Sequence, residues 1–303
     1  MANITLTKHA LLGLFFIHKY RFLTTAQYAK VTELSRNVAS SNLRRMERLN
    51  WLGHIGNTPI AGQGKTPKTY YLKPKGYEAL LAHSGRSEEE LGSFVKAHTG
   101  INWSPIMYHR IDTVSVLMQM HLETRRTPDL RLIGTRLEYV RKKVGSKLQA
   151  ETTDTYQGHQ SKIVRIVPDG AFAIENVSTG GRALFFLELD RDTEPITSSG
   201  LRNSIIGKFQ KYDGYMQSLK FRETYKEWGN FQNFVCLFVT PEGKGTPPHR
   251  LDNIRTASRG VGQGFDKFYR LGTFESACEH FYNDRWRSRD ADDKTGYRLV
   301  RAR

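Results

Sequence analysis

Apolar residues recur at helical spacing through the first third of the chain. Leu6, Ala10, Leu14 and Ile17 predict a helix over Thr5–Lys19. Thr24 and Thr25 are N-cap residues for a short helix through Val31. Ser35 caps a third helix, Arg36–Leu49, with Val38, Ala39, Leu43, Met46 and Leu49 as its apolar positions. Trp51–Ile55 then predicts a strand, Gly56–Pro67 a Gly/Pro-rich loop, and Thr69–Leu72 a second strand. Pro74–Leu81 opens another helix at its proline. The pattern weakens over residues 85–104, a connector in which Glu88-Glu89-Glu90 starts a short helix. Three helices followed by a hairpin is the order of a winged helix.

The second part opens with a helix over Pro105–Arg125. Leu130–Val140 predicts a strand, and Lys142–Gln160 a polar loop. Ile163–Val167 is a β-branched run that resumes after Pro168-Asp169-Gly170 as Ala171–Ile174. Gly180-Gly181 marks a turn and Ala183–Leu189 an apolar strand. Leu201–Leu219 predicts a helix, Phe234–Val239 a buried strand, and Gly264–Tyr282 a helical region. The order α-β-β-β-α-β implies a mixed sheet covered by helices. The expected fold is α+β: a winged helix-turn-helix domain over residues 1–84, the connector, and an α/β domain over 105–303.

Charge sharpens this picture. The chain has 303 residues, 46 Lys+Arg against 30 Asp+Glu, and a formal net charge of +16. Such an imbalance points to a polyanion, most often nucleic acid. The first 100 residues carry 14 basic and 6 acidic side chains, so they are the more densely basic part. At 38% hydrophobic residues the chain can build a core and is no disordered basic tail. The longest apolar run, Ala10–Ile17, is far short of the roughly 20 residues a membrane span needs. His18, Lys19 and Arg21 follow it, where a signal peptide would have a small-residue cleavage site. Two cysteines, Cys236 and Cys278, frame neither a disulfide scaffold nor a zinc site, which makes the cytoplasm the expected location and a membrane no partner.

The third helix would read double-stranded DNA. Its outward positions include Arg36, Asn37, Ser40, Ser41, Arg44 and Arg45, types that contact phosphates and base edges. Lys65 and Lys68 near the hairpin tip suit phosphate contact. The alternative for Arg44 and Arg45 is a solvated helix face. Ala61-Gly62-Gln63-Gly64-Lys65-Thr66 resembles the end of a phosphate-binding loop, but Pro59 stands where its first glycine belongs and no helix follows.

The second part holds the chemistry. Pro168-Asp169 precedes Glu188-Leu189-Asp190 by 19 residues. Glu188 and Asp190 share a strand face, because side chains alternate with period two. A hairpin would bring Asp169 beside them, forming an oxygen-rich pocket suited to Mg²⁺ or Mn²⁺. This arrangement resembles the PD-(D/E)xK nuclease superfamily, a restriction-endonuclease-like fold. Position 190 departs from it, being Asp where the superfamily has Lys. Some members carry the lysine on the following helix, where Lys208 lies four residues before Tyr212 and on the same face.

A winged helix, Pro-Asp, the run Phe186-Leu187-Glu188-Leu189-Asp190-Arg191-Asp192-Thr193-Glu194 and Lys208-Phe209-Gln210-Lys211-Tyr212 together resemble the replication-relaxation family. That family includes relaxases of the MobC type from mobilisable plasmids. The resemblance implies recognition of a plasmid or mobile-element origin and nicking of one strand. Asp169, Glu188 and Asp190 would hold metal, Lys208 would assist, and Glu194 would support the site. The family's first strand often carries Glu-Arg. Here Thr135-Arg136 stands there, and either Glu138 two places on substitutes or that ligand is absent.

His109 and Asp112, one turn apart on the Pro105–Arg125 helix, are further acid–base candidates, with a half-buried structural histidine as the alternative. Glu123 reads as a surface charge pairing with Arg126. No histidine sits two residues from another, so the His-hydrophobic-His metal motif of common relaxases is absent. Water rather than Tyr212 is the expected nucleophile, with Tyr212 structural or facing DNA. Asp290-Ala291-Asp292-Asp293 lies among Arg285, Arg287, Arg289 and Lys294 and reads as a solvated tail. Partners on this reading are duplex DNA, single-stranded DNA at a melted origin, and accessory mobilisation or replication proteins. A double-strand cut would require a homodimer. The rival is a winged-helix regulator of replication or transcription whose degenerate nuclease fold no longer cuts.

Overall fold

The computed structural model describes residues 6–56, 58–60, 64–95, 104, 106–158, 161–192, 194–198, 204–242, 250–262 and 264–300. The chain divides into two compact units that meet at Ser115/Val116.

The first unit begins with α1 (Lys8–Tyr20), capped by the Thr7 hydroxyl. The expected start at Thr5 lies outside the described residues. Strand β1 (Leu23–Thr24) leads into α2 (Thr25–Thr32), where Thr24 and Gln27 form a capping box that satisfies two helix-end amides. Ser35 caps α3 (Arg36–Arg48). Its core face is Ala39, Leu43 and Met46, whereas Val38 is 46% exposed and leaves the expected apolar set. After β2 (Leu52–Ile55), the expected loop contains a short ladder of β3 (Pro59–Ile60) and β4 (Gly64–Lys65). The glycine-rich turn at 61–63 lies outside the described residues. Strand β5 (Thr69–Leu72) pairs with β2 and β1 in a three-stranded antiparallel sheet. Then come α4 (Pro74–Ser84), opened by its proline, and α5 (Glu88–Leu91).

Helix α6 (Ile106–Arg126) opens the second part in sequence and carries the boundary between the units within its length. The second unit is built on a five-stranded mixed sheet in the order β14-β13-β12-β11-β6. Strand β6 (Leu130–Leu137) is followed by β7 (Arg141–Val144), β8 (Lys147–Ala150), β9 (Asp154–Gln157) and β10 (Ile163–Ile166). The last four form two hairpins, β7 with β8 and β9 with β10, where the sequence predicts mostly loop. Their largely exposed strands lack the hydrophobic alternation that marks a half-buried strand. Gly145 (φ 59°) supplies the left-handed turn of the first hairpin.

Strands β11 (Gly170–Asn176) and β12 (Arg182–Leu189) form the central antiparallel pair, with Gly170 opposite Leu187. Helices α7 (Ile205–Ser218) and α8 (Lys220–Thr224) cross over to β13 (Phe234–Thr240), which lies parallel to β12. A parallel pair needs such a crossover. Helix α9 (Arg250–Ala257) leads to β14 (Tyr269–Thr273) and α10 (Phe274–Glu279). The core therefore follows α-β-β-β-α-β. The expected C-terminal helical region instead contributes a fifth strand, because Tyr269 and Leu271 are buried against β13.

Ala171, Ala173, Leu184, Phe186, Cys236 and Phe238 pack against Phe209, Tyr212 and Tyr215 of α7. The small alanines leave room for that aromatic layer. Glu123 is no surface charge: its carboxylate accepts the Phe281 and Tyr282 backbone N–H groups at 2.7 and 3.0 Å. Nor is the C-terminal segment merely solvated. Arg255 donates to the carbonyls of Ser288, Asp290 and Asp293. Arg289 is 1% exposed, pairs with Asp213 at 3.1 Å and Asp266 at 2.8 Å, and lies over the Tyr269 ring at 4.1 Å. Gly262 (φ 57°) completes that corner, since a Cβ there would overlap Asp213 Oδ2. No helix among the described residues is long and apolar enough to cross a membrane.

Arg289→Ala leaves Asp213 as a buried carboxylate without its cation. The expected loss is about 3–5 kcal/mol, read from urea unfolding. A change within error would show that the C-terminal segment is not part of the cooperative core.

Candidate functional site

The second unit's site forms where β11 begins and β12 ends. Register sets it up: β11 starts at Gly170 opposite Leu187, so Asp169 lies beside the end of β12. Asp169 Oδ2 accepts the Leu189 amide at 2.7 Å, and its carbonyl accepts the Glu138 amide at 3.1 Å. Asp169 thereby ties together the ends of three strands.

Glu188 points from β12 toward α7 and is 4% exposed. Its two oxygens have different partners. Tyr212 donates its hydroxyl to Oε1 at 2.5 Å, and Lys208 Nζ lies 3.0 Å from Oε2. The i, i+4 spacing of Lys208 and Tyr212 puts both on one helix face. Lys208 Nζ also lies 3.0 Å from Glu194 Oε1, whereas Glu194 Oε2 is buried with no hydrogen-bond partner among the described residues.

These contacts set the protonation states. Burial pushes the Glu188 carboxyl up against the pull of Lys208, and the nearby Asp169 charge pushes the same way. Burial alone would lower the Lys208 ammonium, but Glu188, Asp169 and Glu194 outweigh it and hold Lys208 above its ordinary value. Burial, together with Glu188, holds the Tyr212 phenol well above its ordinary value. Tyr212 is thus a buried, protonated donor.

Asp190 does not join this group. Its side chain is fully buried and pairs with Arg250, whose Nε lies 2.5 Å from Oδ2. Thr240 donates to the same oxygen at 3.3 Å. Asp190 Oδ1 accepts the Asp192 amide at 3.0 Å, with Asp192 in the left-handed region (φ 61°). Arg250 also reaches Asp192 Oδ1 at 2.6 Å and the Glu194 carbonyl at 2.8 Å. Asp190 and Arg250 therefore curl the loop after β12 and return Glu194 toward Lys208. Among the described residues no three His, Cys, Asp or Glu are grouped to hold a metal ion. Asp169 lies close enough for its charge to act on Glu188 and Lys208, and Glu194 meets the same Lys208. Mg²⁺ commonly takes one or two protein carboxylates and keeps waters for the rest.

The other candidates fall elsewhere. Glu138 is half-buried, its carboxylate 3.8 Å from Arg141, and its backbone N–H donates to the Asp169 carbonyl. His109 and Asp112 are half-buried on the part of α6 that belongs to the first unit. On α3, Arg36, Asn37, Ser41, Arg44 and Arg45 are exposed, and Ser40 is half-buried. Arg44 Nε bends back to the Ser40 carbonyl at 3.4 Å. Lys65 is exposed on β4, but Lys68 is committed to Glu47 at 3.0 Å and lies over the Tyr70 ring.

A model of the replication-relaxation family matches residues 14–230. The chain belongs to the replication-relaxation family. The match includes α3, Asp169, Glu188, Lys208 and Tyr212, and ends before Arg250. No curated protein and no solved structure matches the chain. Sequence reasoning missed Arg250 because nothing local ties it to Asp190, 60 positions earlier.

Removing the cation should expose the cost of burying Glu188. Its folded-state value lies above the unfolded one, so its contribution to stability is present at low pH and fades as pH rises through the folded value. In Lys208→Met that value moves further up, and the fade extends to higher pH and grows larger than in wild type. Unfolding free energies across the acid-to-neutral range check this, with Glu188→Gln/Lys208→Met, which lacks the Glu188 contribution, as the control. Parallel wild-type and Lys208→Met profiles would show that the pair is not coupled.

Proposed function

We propose that this protein binds duplex DNA at an origin-like site of a plasmid or mobile element and nicks one strand by metal-dependent hydrolysis, as a relaxase of MobC-type mobilisation or replication would. The observation that carries the reading is the Glu188 carboxylate, buried beside Asp169 and met by Lys208 and Tyr212 from one face of α7. Family membership and the net charge of +16 support a DNA substrate.

In this reading the first unit is a winged helix. Arg36, Asn37, Ser41 and Arg45 on the exposed side of α3 meet base edges and phosphates, and Lys65 meets the backbone. The second unit is a PD-(D/E)xK-type nuclease in which Asp169 and Glu188 hold Mg²⁺ or Mn²⁺. When bound, the cation orients water and stabilises the leaving oxygen. Lys208 stays protonated at neutral pH, so it stabilises negative charge on the phosphate and is no general base. Tyr212 fixes the orientation of Glu188. Burial of its phenol supports water, rather than Tyr212, as the group that attacks phosphorus.

The rival is a DNA-binding regulator with a degenerate nuclease fold. The commitment of Asp190 to Arg250 favours it, because that carboxylate is lost to a metal set.

Supercoiled plasmid carrying the native flanking DNA separates the two. With Mg²⁺ or Mn²⁺, wild type should yield open circles, and Glu188→Gln should lose at least about 100-fold in nicking rate, the scale of losing a group that stabilises the transition state. Tight binding without cleavage by either protein would favour the regulator. Separately, Arg36→Ala/Arg45→Ala should weaken duplex binding and reduce the salt slope by about 0.9 for each phosphate that is no longer neutralised. An unchanged slope would place the duplex elsewhere.

A further inference from the structure

The β9–β10 hairpin lies along α7 and leaves an open groove of about 1090 Å³ between them. Tyr156, Ile163 and Val164 give it apolar walls, and Lys162, Arg165 and Lys211 give it positive charge. Its one acidic lining residue, Asp213, is already paired with Arg289 and accepts the Tyr269 hydroxyl. Lys162 is exposed and Lys211 half-buried. Ile163 is 68% exposed, an unusual position for a large aliphatic side chain beside two cations.

The groove flanks the candidate site without being part of it. Lys208 and Tyr212 occupy the α7 face turned to Glu188. Gly207, Lys211 and Gly214 line the groove from the adjoining face, since successive residues are about 100° apart around a helix.

We propose that this groove binds single-stranded DNA. The argument is charge and surface chemistry together. A duplex stacks its bases inside and offers a protein mainly phosphates. A single strand offers both phosphates and unstacked apolar base faces, and sites for it combine cations with apolar or aromatic platforms. Lys162, Arg165 and Lys211 match the phosphates, and the exposed Ile163 with the half-buried Val164 matches the base faces. The proposal rests on the DNA-handling role given above and adds a second DNA-binding surface, distinct from that of α3.

The test needs no cleavage. Fluorescence anisotropy of the full chain in EDTA, with a labelled single-stranded oligonucleotide and separately a labelled duplex of the same sequence, reads binding alone. Lys162→Ala/Lys211→Ala should weaken single-strand binding about tenfold, with a salt slope smaller by about 0.7 for each lysine removed. Duplex binding should stay at the wild-type level, which also reports an intact fold. Lys162→Arg/Lys211→Arg should keep single-strand affinity. Wild-type single-strand binding that is absent, or unchanged in the alanine variant, would overturn the proposal. So would an equal loss for duplex and single strand. Failure of nicking would leave this result standing, because no chemistry enters the measurement.

Discussion

Glu188 enters the protein interior as a carboxylate, and the second unit is organised around making that tolerable. A buried carboxylate without partners would cost several kcal/mol. Lys208 and Tyr212 divide its two oxygens between them, one charge and one hydroxyl, from positions a single helical turn apart. The pairing fixes how α7 sits on β12. It also brings the Lys208 charge to the end of the strand, where Asp169 and Glu194 add their own.

A second buried charge pair does a different task in the same region. Asp190 and Arg250 hold the turn after β12 through the Asp192 amide and the Glu194 carbonyl. Two carboxylates on one strand face thus have separate fates. Glu188 stays beside Asp169 and Lys208, and Asp190 becomes the pivot of a loop. Arg289 and Asp213 repeat the principle elsewhere on α7, where they dock the C-terminal segment. In each case a long-range cation lets an acid be buried, and the backbone nearby takes its shape from the pair.

The sheet explains why these pairs can form. Three antiparallel strands carry Asp169 and Glu188 to one end of the sheet through register alone. The two parallel strands require crossovers, and α7 and α9 within them deliver Lys208 and Arg250. The β9–β10 hairpin then uses another side of α7, through Tyr156 donating to the Lys211 carbonyl and Tyr215 donating to Asp154.

Periodicity by itself determined most of the framework. Capping residues and apolar spacing place α1 to α4, α6 and α7 within a few residues, and the apolar runs place β5, β11, β12 and β13. Lys208 and Tyr212 could be assigned to one face because helix geometry is local. The polar strands β7, β8 and β9 were not legible, since strands with solvent on their exposed sides carry no hydrophobic alternation; only β10 of the two hairpins was marked by its β-branched run. Strand β14 hid within a segment too short for its period to stand out. The fates of Asp190, Glu123 and Arg289 belonged to the tertiary structure alone. Their partners lie 60, 158 and 76 positions away. An ion pair or an amide hydrogen bond at that separation leaves no mark on local sequence, because only the folded sheet and its crossovers bring the two groups together.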